Sequence, residues 1–180
     1  AHALERPTRQ GAGVVGREWI IALDDGGLPV DEPRLAVAHV SRILAGRPDE
    51  ELAVVGVTGT NGKTTITHLL ESIAEAAGRR SAVVGTVGAR IAGRPLALPR
   101  ITPEPSDLHR LLAEMVRQGV ELAFIEVSSH ALALNRVDAT WFSVAAFTNL
   151  TQDHLDFHGD MDAYFSAKAS LFDRSRSGRA

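Results

Sequence analysis

The sequence predicts an α/β protein in which a mostly parallel sheet is covered by helices on both faces. Two observations carry this prediction. From residue 52 onward, apolar runs of strand length alternate with amphipathic runs of helical period. The first of these strands is followed by a glycine-rich loop that opens directly into a helix, the layout of a phosphate-binding loop. With 180 residues, the chain is long enough to bury one well-formed core.

The first 47 residues are predicted to form a small separate unit. Its elements are strands at residues 13–15 and 19–23 and a helix at residues 32–44. Asp31 is the predicted N-cap of that helix, and Pro33 suits its first turn. A Gly-Arg-Pro-Asp turn ends the helix. We therefore place a domain boundary there, with residues 1–47 in one domain and residues 48–180 in the next.

The second unit repeats the order strand, loop, helix. Its predicted strands are residues 52–57, 81–87, 121–127 and 143–147, with a short hairpin at residues 91–96. Its predicted helices are residues 63–77, residues 106–118 with Ser106 as N-cap, and residues 160–172 with Asp160 as N-cap. Ligands in sheets of this kind bind at the carboxyl ends of the strands, where the motifs described below all lie.

Composition excludes several classes of protein. The net charge is −3 and there is no basic block, so nucleic acid is not an expected partner. The absence of cysteine rules out disulfides and thiolate metal sites and fits a cytoplasmic protein. No apolar run is long enough to span a membrane.

Residues 58–65, Thr-Gly-Thr-Asn-Gly-Lys-Thr-Thr, form the most specific motif. Such a loop wraps backbone N–H groups around phosphate oxygens, and the helix that follows adds partial positive charge. Lys63 is predicted to reach the β- and γ-phosphates, and the Thr64 hydroxyl to bind Mg²⁺. The general pattern has glycine where this chain has Val57, next to Gly56. A purely structural turn is the alternative, but the complete strand–loop–helix order favours nucleotide binding.

Glu126 stands at the end of a predicted buried strand and is followed by Val-Ser-Ser-His. A carboxylate there can face the phosphate loop and bind Mg²⁺ through oxygen. The alternative is a solvent-facing glutamate followed by serines that cap the next helix. The two readings are compatible, because Ser128 can cap while Glu126 binds metal.

The segment after the next strand, residues 148–159, is rich in polar side chains. It places Asp153, His154, Asp156 and His158 within six positions. A His-x-Asp-x-His run is as typical of a polar loop as of a transition-metal site. Beside a nucleotide loop, we favour a second Mg²⁺ ligand.

The chain has only two lysines beside seventeen arginines, and Lys168 is the second. A solvent-exposed helix lysine is the simplest interpretation, but the avoidance of lysine elsewhere argues against it. A desolvated lysine has a lowered pKa, and its neutral amine can take up CO₂ to form a carbamate. A carbamate is a carboxylate on a long stem, so it can bind Mg²⁺ where Asp or Glu would be too short.

Together these motifs resemble the Mur ligase family of ATP-dependent amide-forming enzymes in peptidoglycan synthesis, specifically its UDP-N-acetylmuramoyl-tripeptide synthetase (MurE-type) branch. The resemblance runs from about residue 52 to residue 172, through the segments 59–65, 126–130, 148–159 and 167–172. More weakly, the first 47 residues resemble the end of that enzyme's UDP-binding N-terminal domain. The implied fold is the first part of the central ligase domain, preceded by the end of a small α/β domain.

The resemblance implies a reaction in two steps. The γ-phosphate of ATP is transferred to the carboxylate of UDP-N-acetylmuramoyl-L-alanyl-D-glutamate. The amino group of a diamino acid, meso-diaminopimelate or L-lysine, then attacks the acyl phosphate. The implied ATP-binding residues are Gly59, Thr60, Asn61, Gly62, Lys63, Thr64 and Thr65.

The resemblance also implies roles for residues outside the loop. Thr64 and Glu126 would hold one Mg²⁺, and His154 with carbamylated Lys168 a second. The implied substrate contacts are Thr102, Ser128 and Arg136. Two positions depart from the family: Ile101 stands where the family has threonine, and Leu134 replaces a residue that is polar in some members.

By this resemblance the chain lacks the start of the UDP-binding domain, the rest of the central domain and the C-terminal domain that binds the amino acid. We therefore expect it to carry the ATP and magnesium site without completing the reaction alone, and the full-length enzyme to be a monomer. The alternatives are another ligase of the superfamily, of the folylpolyglutamate or cyanophycin synthetase type, a non-catalytic nucleotide-binding module, or a P-loop phosphotransferase. The Ser-Ser-His after Glu126 and Val127 disfavours the folate type, which has a glycine-containing segment there.

Overall fold

The computed structural model describes residues 13–15, 18–23, 26–30, 32–173, 176 and 178. The strands are β1 (Gly13–Val15), β2 (Glu18–Leu23), β3 (Gly26–Val30), β4 (Ala53–Thr58), β5 (Ser81–Gly85), β6 (Gly88–Ile91), β7 (Arg94–Leu96), β8 (Leu122–Glu126) and β9 (Val144–Phe147). The helices are α1 (Pro33–Leu44), α2 (Lys63–Ala76), α3 (Pro105–Arg117), α4 (Ser129–Ala133), α5 (Leu155–His158) and α6 (Met161–Ala169). Short 3₁₀ turns lie at Pro48–Glu50 and Ser170–Phe172. None of these helices combines the length and apolarity needed to cross a membrane.

The central sheet has six strands in the order β7-β6-β5-β8-β4-β9. The pairs β5–β8, β8–β4 and β4–β9 are parallel, while β6 and β7 form an antiparallel hairpin at one edge. This confirms the predicted α/β class with a mostly parallel sheet. Strand β4, which leads into the phosphate loop, lies between β8 and β9, so the motifs that follow these three strands are neighbours.

Both faces of the sheet are buried. Ala82 and Val84 of β5 belong to the larger apolar cluster, which contains Leu112 and Met115 of α3. Val83, between them in sequence, belongs to a smaller cluster that includes residues of α2. Because successive side chains of a strand point to opposite faces, α3 and α2 cover opposite faces of the sheet. The strands are continuous apolar runs in the sequence because the sheet is buried on both faces, as expected of a parallel sheet.

The region before the predicted boundary forms an antiparallel sheet β1-β2-β3 followed by α1. Helix α1 contacts α3, and Arg42 of α1 is paired with Asp49 at 2.8 Å. Asp49 is buried and also accepts a hydrogen bond from the backbone N–H of Trp141 at 2.8 Å. The turn at residues 46–49 is thus anchored to the segment that leads into β9. The domain boundary itself stays a prediction, and Asp31 lies outside the described residues.

Several predicted boundaries are corrected. Helix α3 begins at Pro105, with Glu104 rather than Ser106 in the N-cap position and no side-chain cap. The predicted strand at residues 81–87 ends at Gly85, because the chain turns there into the β5–β6 hairpin. Strand β3 and helix α5 were not predicted. Two predicted caps are confirmed: Asp160 accepts from the N–H of Ala163 at 2.8 Å, and Ser128 accepts from that of Ala131 at 3.1 Å.

Gly56 serves core packing rather than the phosphate loop. A Cβ atom at this position would lie 2.8 Å from Cδ1 of Phe142 and 3.4 Å from Cδ2 of Leu171. The Phe142 ring therefore rests directly on the backbone of β4. This contact explains a glycine one position away from the one that the general loop pattern requires.

We expect Gly56→Ala to destabilise the fold by about 1–3 kcal/mol, the usual cost of overpacking a core. The change in the free energy of unfolding is measured by urea denaturation. Phe142→Leu removes part of the ring that the new methyl meets, so the double variant should be less destabilised than the sum of the single variants. Strictly additive effects would show that the ring is not what requires glycine here.

Candidate active site

Parallel pairing brings the predicted motifs together at the carboxyl ends of the strands. The register places Val57 of β4 opposite Glu126 of β8, and Thr58 opposite Phe147 of β9. The phosphate loop, the Glu126 carboxylate and the segment after β9 are therefore adjacent at the carboxyl ends of their strands. This is the location at which open α/β sheets bind ligands.

The phosphate loop presents the start of α2. Gly62 holds the N-cap position with φ 84°, and no side chain caps the helix. The first N–H groups of a helix have no intrahelical partner, and with the helix dipole they form an anion site. The Lys63 ammonium donates to the carbonyls of Gly59 at 2.9 Å and Thr60 at 2.8 Å. Lys63 thus lies over its own loop, within reach of a phosphate bound there.

Lys168 reaches the same loop from α6. It is 1% exposed, and its ammonium donates to the carbonyl of Gly59 at 2.8 Å and lies 4.5 Å from the centre of the Tyr164 ring. Burial, and then the charge of Lys63, lowers the pKa of Lys168 to about 8. Burial also lowers the pKa of Lys63, against the opposing effect of Glu126. The two lysines of the chain therefore converge on one carbonyl oxygen, and the solvent-exposed interpretation of Lys168 is wrong.

Glu126 is 1% exposed and faces the phosphate loop. Its Oε2 accepts from the hydroxyls of Thr64 and Thr86, both at 3.0 Å, and its Oε1 accepts from the N–H of Thr86 at 2.9 Å. A Cβ at Gly85 would lie 2.0 Å from Oε1, so this carboxylate occupies the space that glycine leaves. The solvent-facing alternative for Glu126 is wrong. A carboxylate with hydroxyl oxygens beside it is a donor set that suits Mg²⁺.

His154 lies in a cluster of aromatic rings. Its ring centre is 4.8 Å from that of His130 and 6.2 Å from that of Tyr164, and His158 lies 5.2 Å from Tyr164. Burial, and then the nearby His154, lowers the pKa of both His130 and His158. In the part of the chain that the structure describes, no group of three or more His, Cys, Asp or Glu side chains is arranged to hold a metal ion. His154 and Lys168 nevertheless lie beside the same tyrosine.

The three predicted substrate-binding residues lie in two separate places, Thr102 and Ser128 at the end of β8 and Arg136 beside Glu104. Thr102 is 1% exposed; its hydroxyl donates to the carbonyl of Glu126 at 2.8 Å and accepts from the N–H of Ser128 at 3.3 Å. These two residues support the end of β8. Arg136 is paired with Glu104 at 2.9 Å, and Glu104 also contacts Arg34 and Arg100. Direct contact of these residues with a substrate stays a prediction.

Sequence reasoning missed three residues of the site: Thr86, Tyr164 and Asn149. Tyr164 is buried and its hydroxyl lies 3.1 Å from that of Thr60. Asn149 accepts from the N–H of Thr60 at 2.8 Å through its carbonyl, and from the N–H of Asn61 at 3.1 Å through Oδ1. Asn149 belongs to the polar segment 148–159, but no local pattern marks the roles of these three residues, because their partners lie far away in the sequence.

A mostly parallel sheet whose strand β4 runs through a Gly-x-x-Gly-Lys-Thr loop into a helix defines an α/β protein of the P-loop class. Residues 57–180 match the Mur ligase middle domain. This match covers more than half of the chain, which therefore belongs to the Mur ligase family.

Known relatives agree with this assignment. The chain is 49% identical over 146 residues to the UDP-N-acetylmuramoyl-L-alanyl-D-glutamate–2,6-diaminopimelate ligase of Solibacter usitatus, covering 81% of this chain and 30% of the relative. A solved structure of a ligase of the same name has 34% identity and a TM-score of 0.66, covering 77% of this chain and 29% of that one. The chain spans about a third of the length of the curated relatives it matches.

A second solved structure shows the same fold in another enzyme. Folylpolyglutamate synthase of Mycobacterium tuberculosis, complexed with ADP and AMPPCP, superposes with a TM-score of 0.64 at 19% identity, covering 78% of this chain and 39% of that one. At this identity the likeness concerns the fold alone.

We expect Lys168 to titrate near pH 8, well below the ordinary lysine value of 10.5. Because the fold disfavours the charged form, Lys168 lowers the free energy of unfolding at pH values below 8. This penalty is lost as the pH rises from 8 toward 10.5, where the amine is neutral in the folded state. The measurement is an NMR pH titration of the chain labelled with ¹³C at lysine Cε, which gives only two signals. The variant Lys63→Arg keeps the neighbouring positive charge and removes one of the two signals, so the remaining signal is that of Lys168. Titration of that signal near 10.5 would contradict the buried environment.

Proposed function

We propose that this chain carries the ATP- and magnesium-binding site of a ligase that adds meso-diaminopimelate to UDP-N-acetylmuramoyl-L-alanyl-D-glutamate. The observation that carries the proposal is the convergence of both lysines on Gly59, next to the buried carboxylate of Glu126. The names of the relatives, which are UDP-N-acetylmuramoyl-L-alanyl-D-glutamate–2,6-diaminopimelate ligases, support these substrates. Residues 1–47 would belong to the UDP-binding domain and residues 48–180 to the central ligase domain.

The phosphates of ATP would lie at the start of α2. The Lys63 ammonium would exchange its bonds to two loop carbonyls for bonds to phosphate oxygens, which are stronger acceptors because they are charged. Thr64 and Glu126 would hold Mg²⁺, with Thr86 keeping the carboxylate oriented. Mg²⁺ held there would supply positive charge for the phosphoryl group during transfer.

Lys168 would act as its carbamate. Near its pKa of about 8, a substantial fraction of the amine is neutral, and that form attacks CO₂. A new N–C bond forms, one proton leaves the nitrogen, and a carboxylate results. Together with His154 it would hold a second Mg²⁺. Removing the positive charge of Lys168 also relieves its repulsion of Lys63.

The acceptor substrate would meet this site from the side of β8. Ser128 stands two residues after Glu126 and contacts Thr102, so substrate oxygens bound there would lie near the metal site. Arg136, held by Glu104, supplies a positive charge for an anionic group of the acceptor. A non-catalytic nucleotide-binding module is the second candidate, since the loop alone would suffice for it.

ATP binding tests the first part of the proposal and can be measured on this chain by calorimetry with Mg²⁺. Lys63→Ala should weaken ATP binding about 10- to 100-fold, the loss of one or two charged hydrogen bonds. Glu126→Gln keeps the size of the side chain but removes its charge, so it should abolish the Mg²⁺ dependence of binding. Unchanged ATP affinity in Lys63→Ala would contradict the phosphate role of this lysine.

Ligation distinguishes the enzyme from the binding module. The chain joined to both the N-terminal and the C-terminal regions of the Solibacter usitatus relative that lie outside the match should form ADP and the diaminopimelate product, whereas the 180-residue chain alone should not. A joined protein that binds ATP but forms no product would favour the non-catalytic module. Preference for L-lysine over meso-diaminopimelate would overturn the proposed substrate.

The carbamate has its own test. In ¹³CO₂-equilibrated buffer near pH 8, a ¹³C carbamate signal should be present in the wild type and in Lys63→Arg and absent from Lys168→Arg. In the joined enzyme, Lys168→Ala should lose ligation, and added formate or acetate should restore part of it. A fully active Lys168→Ala enzyme would rule the carbamate out.

A further inference from the structure

The phosphate loop is held from outside by the residues that follow β9. The side-chain amide of Asn149 makes two bonds to the backbone of Asn61: Oδ1 accepts from its N–H at 3.1 Å and Nδ2 donates to its carbonyl at 3.1 Å. The Thr148 hydroxyl donates to the same carbonyl at 2.7 Å. Both polar groups of the Asn61 backbone are therefore engaged by two neighbouring side chains.

The two loop residues that precede Asn61 contact the same segment. The backbone carbonyl of Asn149 accepts from the N–H of Thr60, and the Thr60 hydroxyl bonds to both the N–H and the carbonyl of Thr151 at 3.0 Å. Gly59 has φ 135°, and a Cβ there would lie 1.9 Å from the Thr148 hydroxyl. The close approach of the two segments therefore requires a glycine at position 59.

This arrangement decides which N–H groups remain for phosphate. Those of Thr60 and Asn61 point to Asn149, so phosphate is left to the groups at the start of α2, beginning with Gly62. Ordering a backbone residue costs conformational entropy, and a loop ordered before binding avoids that cost during binding. Asn61 and Asn149 are exposed, so water can replace their mutual bonds without destabilising the core.

We propose that Asn149 is a positioning residue for phosphate binding: its side-chain amide fixes the Asn61 peptide group and so holds the loop in its binding geometry. The inference rests on the proposed nucleotide binding. It adds a residue that contacts no phosphate itself and acts only through the loop.

The test compares Asn149→Ala with wild type and with Gln152→Ala, a change at an exposed side chain in the same segment. In Asn149→Ala the Kd for ATP with Mg²⁺ should rise about 10-fold, the effect of losing two hydrogen bonds and ordering the loop on binding. The melting temperature should stay close to that of the wild type. Gln152→Ala should change neither quantity.

An NMR measurement on the ligand-free protein separates positioning from general stability. The Asn61 amide should be protected from hydrogen exchange in the wild type and in Gln152→Ala, and should exchange rapidly in Asn149→Ala.

An ATP Kd within about two-fold of wild type in Asn149→Ala would overturn the inference while leaving the proposed function intact. Rapid exchange of the Asn61 amide in the wild type would overturn it even if Asn149→Ala fails to fold. Absence of ATP binding by the wild type would instead overturn the proposed function.

Discussion

One carbonyl oxygen, that of Gly59, accepts hydrogen bonds from both lysines of this chain. Two ammonium groups on a single oxygen repel each other, and burial adds to the cost of their charge. The pKa of Lys168 falls to about 8 for these two reasons, with burial the larger. The backbone of the loop and the Tyr164 ring stabilise the arrangement only in part. Excess positive charge remains at the start of α2, where a polyanion would relieve it.

The pairing of parallel strands places a compensating negative charge, the Glu126 carboxylate, beside the phosphate loop. Glu126 lies opposite Val57 in the register of β8 with β4, so its carboxylate is held beside the loop by backbone pairing rather than by its own flexibility. Thr86, at the end of the next strand, orients that carboxylate with two hydrogen bonds. Gly85 makes the approach possible, because any Cβ there would collide with the carboxylate. A buried carboxylate with oxygen partners beside a phosphate loop is the donor set on which the proposed Mg²⁺–nucleotide site rests.

The sequence predicts the fold class and the local parts of this site well. Lys63, Thr64 and Glu126 each lie within a few residues of a strand end, where apolar run, loop and helix can be recognised together. The roles of Thr86 and Asn149 could not be predicted, because they depend on the strand order β5-β8-β4-β9, which no local pattern contains. The cap of α3 was misassigned for a simpler reason: Pro105 can occupy the first helical turn, so the helix begins one residue before Ser106.

The use of lysine at these two positions, and of arginine elsewhere, follows from the number of donors that each site can satisfy. A guanidinium has five N–H donors in a rigid plane, whereas an ammonium has three on a compact head. Lys168 is 1% exposed and donates to one carbonyl beside an aromatic ring, so a guanidinium there would leave several buried donors without partners. An arginine would also stay charged at every accessible pH, while Lys168 can lose its proton near pH 8. The two lysines thus have different surroundings: Lys63 is part-buried and donates to two loop carbonyls, whereas Lys168 is buried on α6, and that burial lowers its pKa.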